Sequence, residues 1–85
     1  MLDPAHKPQA ADHERLALGL HNVVVARERL DEGRRAGVRR WEEQTLRADL
    51  LAALESYAAA ITETGAPLSY RMRAEIDLYR QLGGA

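Results

Sequence analysis

Apolar residues recur at helical spacing near the start of the chain. Four of them form one stripe, with separations of four, three and seven residues: Leu16, Leu20, Val23 and Leu30. Asp12 is a suitable N-cap residue ahead of the stripe, and Gly33 and Gly37 interrupt the pattern after it. The pattern predicts a first helix over about residues 12–33.

The second apolar stretch predicts a helix over about residues 38–64, and it is apolar on two sides. One side carries Leu46, Leu50, Ala53, Leu54, Tyr57 and Ile61. The other side carries Trp41, Ala48, Ala52 and Ala59. Gly65 suits the left-handed position that ends a helix, and Pro67 follows it. A helix that is apolar on two sides usually packs between neighbours.

A third helix is predicted over about residues 68–82, with Ser69 as its cap and Gly83 and Gly84 at its end. Its apolar stripe consists of Leu68, Met72, Ile76, Tyr79 and Leu82. We predict an all-α fold, either a three-helix bundle or a helical hairpin with a shorter docked third helix, built around a long central helix. Residues 11–85 then form a single helical domain, and residues 1–10, with two prolines, form a flexible N-terminal arm.

The composition supports this fold and excludes several classes of function. Alanine, leucine, arginine and glutamate favour helices, whereas β-branched residues are few and phenylalanine is absent. The preference for arginine over lysine suggests a GC-rich bacterial gene. The absence of cysteine excludes disulfides, a thiolate nucleophile and zinc–thiolate sites. With no secretory pattern in residues 1–11 and no apolar run near the roughly 20 residues that span a bilayer, we expect a cytoplasmic protein.

Three helices of these lengths carry more apolar faces than they can bury among themselves. Exposed apolar patches often mark interfaces, although single exposed apolar residues are also normal. We predict a protein interface formed by the second helix and by the back of the first: Trp41, Ala48, Ala52, Ala59, Leu18 and Val25. The partner is a second copy, in the simplest case a two-fold dimer, or another protein.

The net charge of −1 is an average over regions of opposite sign. Residues 1–33 and 48–85 each sum to −2, whereas residues 34–47 sum to +3. The arginines of this basic hinge are Arg34, Arg35, Arg39, Arg40 and Arg47. Three interpretations remain open: a solvated face paired with its own acids (Asp31 with Arg35, and Glu43 with Arg39 and Arg47), a protein contact, or a contact with the phosphates of a nucleic acid.

The sequence predicts no catalytic, cofactor-binding or metal site. His6, His13 and His21 lie too far apart to share a metal, and neither serine neighbours a histidine. Arg27 falls close to the centre of the apolar stripe of the first helix, and we expect it to lie at the rim of a core centred toward Val24 and Leu20. The alternative is an ion pair with Glu55, Glu63 or Glu75, or with an acid of another subunit. A less favoured hypothesis is an enzyme that binds an anion through Arg27 with Arg71 or Arg73. We predict a non-catalytic helical protein-interaction module that acts as a regulator, an adaptor or an assembly subunit, with a nucleic-acid-binding regulator as the alternative.

Overall fold

The computed structural model describes residues 10–83, which form three helices and no strand. Their bounds are α1 Ala10–Ala36, α2 Arg40–Glu63 and α3 Tyr70–Gly83. Both α1 and α3 pack on α2, and no Cα atom of α1 comes within 8 Å of one in α3 among these residues. This confirms the predicted all-α bundle with a shorter third helix. The central helix is not the longest, because α1 continues through Gly33 and has 27 residues, whereas α2 has 24. Residues 1–9 of the predicted arm, with His6, lie outside the described residues, as do residues 84–85.

The turn between α1 and α2 closes with two backbone hydrogen bonds. The N–H of Gly37 donates to the carbonyl of Arg34 (3.3 Å), and the N–H of Val38 donates to the carbonyl of Gly33 (3.0 Å). This is a Schellman motif, and it requires the positive φ of 69° that Gly37 adopts. The sequence pattern placed the end of this helix at Gly33. The helix continues for three more residues. Gly33 is buried inside α1, where its missing side chain makes room for Leu46.

The connection between α2 and α3 forms with the residues that the sequence indicated. Gly65 has a φ of 86° and its N–H donates to the carbonyl of Thr62, which ends α2. Ser69 caps α3, because its Oγ accepts a hydrogen bond from the N–H of Met72 (3.1 Å). Leu68 borders Ala58, whereas the end of α3 borders the first half of α2. The two helices are therefore antiparallel.

The core lies where all three helices meet along α2. Its buried members are Val23, Ala26, Leu30, Leu50, Leu54, Ala58 and Ile76. The predicted stripe of α1 is confirmed at Val23 and Leu30, which are buried, and is wrong at Leu20, which is 48% exposed. The face that packs on α2 begins at Gly19, which lies against Tyr57, and runs through Val23, Ala26, Leu30 and Gly33. The small residues let the two backbones approach closely and set this rotation of α1.

Candidate interaction surface

The outer face of α2, defined by Trp41, Ala48, Ala52 and Ala59, is exposed in the folded chain. These residues lie seven, four and seven positions apart, so they follow one side of the helix. Trp41 is 62% exposed although tryptophan is the largest apolar side chain in the molecule. The core of the bundle therefore does not need this face, and the face stays available to another molecule.

A cleft of about 470 Å³ lies beside the outer face, between α2 and α3. We call it the α2/α3 cleft, and its lining is Gln44, Arg47, Ala48, Leu51, Tyr79, Arg80, Leu82 and Gly83. Ala48 belongs to both surfaces, and Trp41 lies one turn before Gln44 on the same side of α2. Leu82, which the sequence assigned to the buried stripe of α3, is 43% exposed here. The exposed surface therefore continues from Trp41, past Gln44, into a concave site lined by apolar and charged side chains.

Leu18 and Val25, the predicted interface residues of α1, lie elsewhere. Val25 is half-buried and lines a separate cleft of about 290 Å³ between α1 and α2, opposite Asp49 and Ala53. Leu18 is 60% exposed and lies two turns before Val25 on the same side of α1. The six predicted residues thus form two surfaces, and those of α2 form the larger one.

The structure also exposes apolar residues that the sequence did not assign to an interface. On α1, Val24 (41% exposed) and Leu20 (48% exposed) lie three and seven residues before Arg27. On α3, Leu78 (50% exposed) lies three residues after Glu75. Arg27 and Glu75 form an ion pair that bridges the two helices. These exposed residues can be recognised only by their position beside the Arg27–Glu75 pair. That pair becomes apparent only when the fold is known.

The basic hinge is only partly paired with acids. Arg47 lies 3.4 Å from Glu43, as predicted. Among the described residues, Arg34, Arg35, Arg39 and Arg40 are exposed, and none has a carboxylate within 4.0 Å. The expected pair of Arg39 with Glu43 is wrong because Arg39 has an extended backbone ahead of α2, which breaks the helical spacing. The expected pair of Asp31 with Arg35 is also absent.

Arg27 is exposed, and its Nε lies 3.1 Å from Glu75, one of the three acids predicted for it. The other two candidates have different partners. Glu55 accepts from Arg80 (2.7 Å), and Glu63 lies 2.5 Å from Arg15, where it raises the pKa of that arginine through a hydrogen bond and its negative charge. Each of these pairs joins two helices.

The small-molecule hypothesis placed Arg71 or Arg73 at one site with Arg27. Arg73 lines a different cleft, with Glu55 and Ala58, and the structure brings Arg27 and Arg71 together. They line a shallow cleft of about 250 Å³ with Ser69, Met72 and Glu75. Glu75 already engages the guanidinium of Arg27 through two hydrogen bonds, and the Ser69 hydroxyl caps α3. An anion would have to displace Glu75 from its partner.

Nothing else in the described residues has the arrangement of a metal or membrane site. Residues 10–83 contain no group of three or more histidine, aspartate or glutamate side chains that could hold a metal ion. None of the three helices is long and apolar enough to cross a membrane. Comparison with protein-family models, with curated proteins and with solved structures finds no match to this chain.

Proposed function

We propose that this chain is a non-catalytic protein-interaction module that binds through the outer face of α2 and the adjoining α2/α3 cleft. The observation that carries the proposal is the 62% exposed Trp41 beside an apolar cleft of about 470 Å³. Tryptophan, tyrosine and arginine are the residues most often found at the energetic centres of protein interfaces. Trp41, Tyr79 and Arg80 supply all three types on one side of the molecule.

The shape of this surface favours a helical partner. The three alanines of the outer face leave room for another helix to approach closely, and the cleft beside them can accept a large side chain. Because the surface is made of regular helices, its shape exists before the partner arrives, which lowers the entropic cost of binding. Such a surface suits a regulator, an adaptor or a subunit of an assembly, and the lack of cysteine agrees with a cytoplasmic setting.

The partner can be a second copy of the chain or a different protein. In a two-fold dimer the same residues meet their own symmetry mates, so both Trp41 side chains would be buried at once. A different protein would need only a complementary apolar ridge. In both cases association removes the same indole and the same alanines from water.

The test is the mass of the protein purified under mild conditions from its native source, compared with the 9.5 kDa of the chain alone. We expect a larger particle, and we expect Ala52→Arg to abolish it by placing a long charged side chain on the outer face. Ala74→Arg makes the same change at an exposed alanine of α3 and should leave the particle intact. Arginine and alanine both favour helices, so both variants should fold.

Two results would contradict the proposal. One is a strict 9.5 kDa monomer that carries no partner. The other is a particle that Ala52→Arg and Ala74→Arg affect equally, since the outer face would then have no special role.

A further inference from the structure

We infer that the end of the molecule at the α1–α2 turn is a second binding site, one that contacts the phosphodiester backbone of a nucleic acid. We call its four arginines, Arg34, Arg35, Arg39 and Arg40, the arginine turn. The inference goes beyond the proposed protein interface, since it rests on different residues.

The pairing of arginines differs between the body of the molecule and this end. Four of the seven arginines outside the turn, Arg15, Arg27, Arg47 and Arg80, have a carboxylate within 4.0 Å, whereas Arg29, Arg71 and Arg73 have none among the described residues. The four residues of the arginine turn have none among the described residues, although an acid lies three or four positions away from each of them along the chain. Their guanidinium groups remain free to donate to an external anion.

Helix stability explains the positions of only two of the four arginines in the arginine turn. Arg34 and Arg35 lie in the last turn of α1, where positive charge interacts favourably with the helix dipole. Arg39 and Arg40 lie at the start of α2, where positive charge is unfavourable, and Arg39 makes no capping hydrogen bond through its side chain. Residues that oppose local stability are expected where a function requires them.

The backbone holds these four residues close together. All four lie within a stretch of seven residues, and the two hydrogen bonds of the Schellman motif close the turn inside this stretch. A nucleic acid duplex carries one negative charge per about 1.7 Å of its axis, so a compact group of cations can contact several phosphates at once. The phosphate contact itself does not distinguish a single strand from a duplex.

Two acids at the start of α2 limit how the nucleic acid can approach. Glu42 and Glu43 occupy its first turn and would be repelled by the phosphates on either side of a major groove if α2 entered it. Contact through the turn keeps these acids away from the phosphates. We therefore expect binding that does not depend on base sequence.

The experiment measures binding of a fluorescently labelled DNA oligonucleotide, single-stranded and as a duplex, across a range of salt concentrations from about 20 mM upward. Four phosphate contacts predict that log K falls with log salt with a slope of about −3. Arg39→Ala with Arg40→Ala should weaken binding about tenfold at low salt and reduce the slope by about 1.5. The form that binds more tightly identifies the source of the phosphates.

The matched control is Arg29→Ala with Arg71→Ala, two exposed arginines outside the turn that form no ion pair among the described residues. It changes the net charge by the same amount and should bind almost as the unmodified chain does. Equal losses in the two double variants would assign binding to overall charge and overturn the inference. An absence of binding to both DNA forms at low salt would also overturn it.

Discussion

The interfaces on the two sides of α2 are built differently. The α1–α2 interface buries Val23, Leu30 and Leu50 almost completely, and Gly19 of α1 lies against the backbone of Tyr57. The α2–α3 interface has one buried residue from α3, Ile76, with half-buried apolar neighbours. The ion pair between Arg80 and Glu55 lies at its edge, and its two side chains are 59% and 41% exposed.

This difference implies an unequal distribution of stability. Burial of large apolar side chains contributes about 1.5–3 kcal/mol each, whereas exposed ion pairs contribute about 0–1 kcal/mol. We infer that α1 and α2 form the stable hairpin and that α3 is held more weakly. Because α3 supplies one wall of the α2/α3 cleft, the shape of the proposed binding site depends on its least stable element.

The largest expected effect is at the centre of the core. Leu54 is completely buried, so Leu54→Ala should lower the free energy of unfolding by about 3 kcal/mol through lost apolar burial and a cavity. Urea unfolding followed by helical circular dichroism measures the loss. A decrease of less than about 1 kcal/mol would show that the three helices do not share one core.

Ile76→Ala should produce the next largest effect, about 2–3 kcal/mol, and it should act on α3 before the rest. Amide hydrogen exchange should show lost protection in α3 while α2 remains protected. Leu78→Ala is the control, because Leu78 is 50% exposed on the same helix and its loss should change little. Equal loss of protection in all three helices would mean that α3 and the hairpin unfold as one unit.

The two glycines of α1 should respond differently to alanine. A Cβ at Gly19 would lie 2.9 Å from the ring of Tyr57 and 3.4 Å from its Cα, so the helices would have to separate. A Cβ at Gly33 would lie 2.7 Å from the end of the flexible Leu46 side chain and 3.3 Å from a methyl group of Val38, and both are side-chain ends that can move aside. Alanine favours a helix over glycine by about 1 kcal/mol at both sites.

We therefore expect Gly19→Ala to destabilise the chain by about 1 kcal/mol and Gly33→Ala to change its stability by less than about 0.5 kcal/mol. Thermal unfolding of the two variants under identical conditions checks this order. A larger loss of stability for Gly33→Ala than for Gly19→Ala would contradict it. The packing near the α1–α2 turn would then tolerate an added methyl group less well than the packing at Gly19.

Among the contacts that hold α3, the ion pair between α1 and α3 should contribute least. Glu75→Gln removes the charge that faces Arg27, and we expect a loss below about 1 kcal/mol that shrinks further in high salt. Glu28→Gln, at an exposed acid with no ion pair among the described residues, is the matched control. A loss above about 2 kcal/mol would contradict the view that apolar contacts hold α3.

Local signals in the sequence predicted the connection between α2 and α3 well. Gly65 and Ser69 act where they stand, since a positive φ and a capping hydroxyl depend on few neighbours. The buried face of α1 was predicted at Val23 and Leu30, but Gly19 and Ala26 complete it in place of Leu20. In this interface the close approach of two backbones decides which side is buried, and that depends on Tyr57 in another helix.

The candidate surface was predicted in part. Trp41 and the alanines of α2 were identified by their position opposite the apolar stripe, and they are exposed in the fold. The cleft beside them could not be predicted, because it depends on how α3 lies across α2. Glu43 forms its ion pair with Arg47 and not with Arg39 because α2 begins after Arg39, and this start was not evident from the sequence.

The most direct test of the central claim is fluorine NMR of the chain labelled with fluorotryptophan. The chain has one tryptophan, so the signal reports on Trp41 alone even when a partner protein is present. Association is monitored on the same sample through the mass of the particle. We predict that it shifts the fluorine signal of Trp41 and removes the sensitivity of this signal to exchange of H₂O for D₂O. A larger particle in which the Trp41 signal is unchanged and still sensitive to solvent would contradict the account.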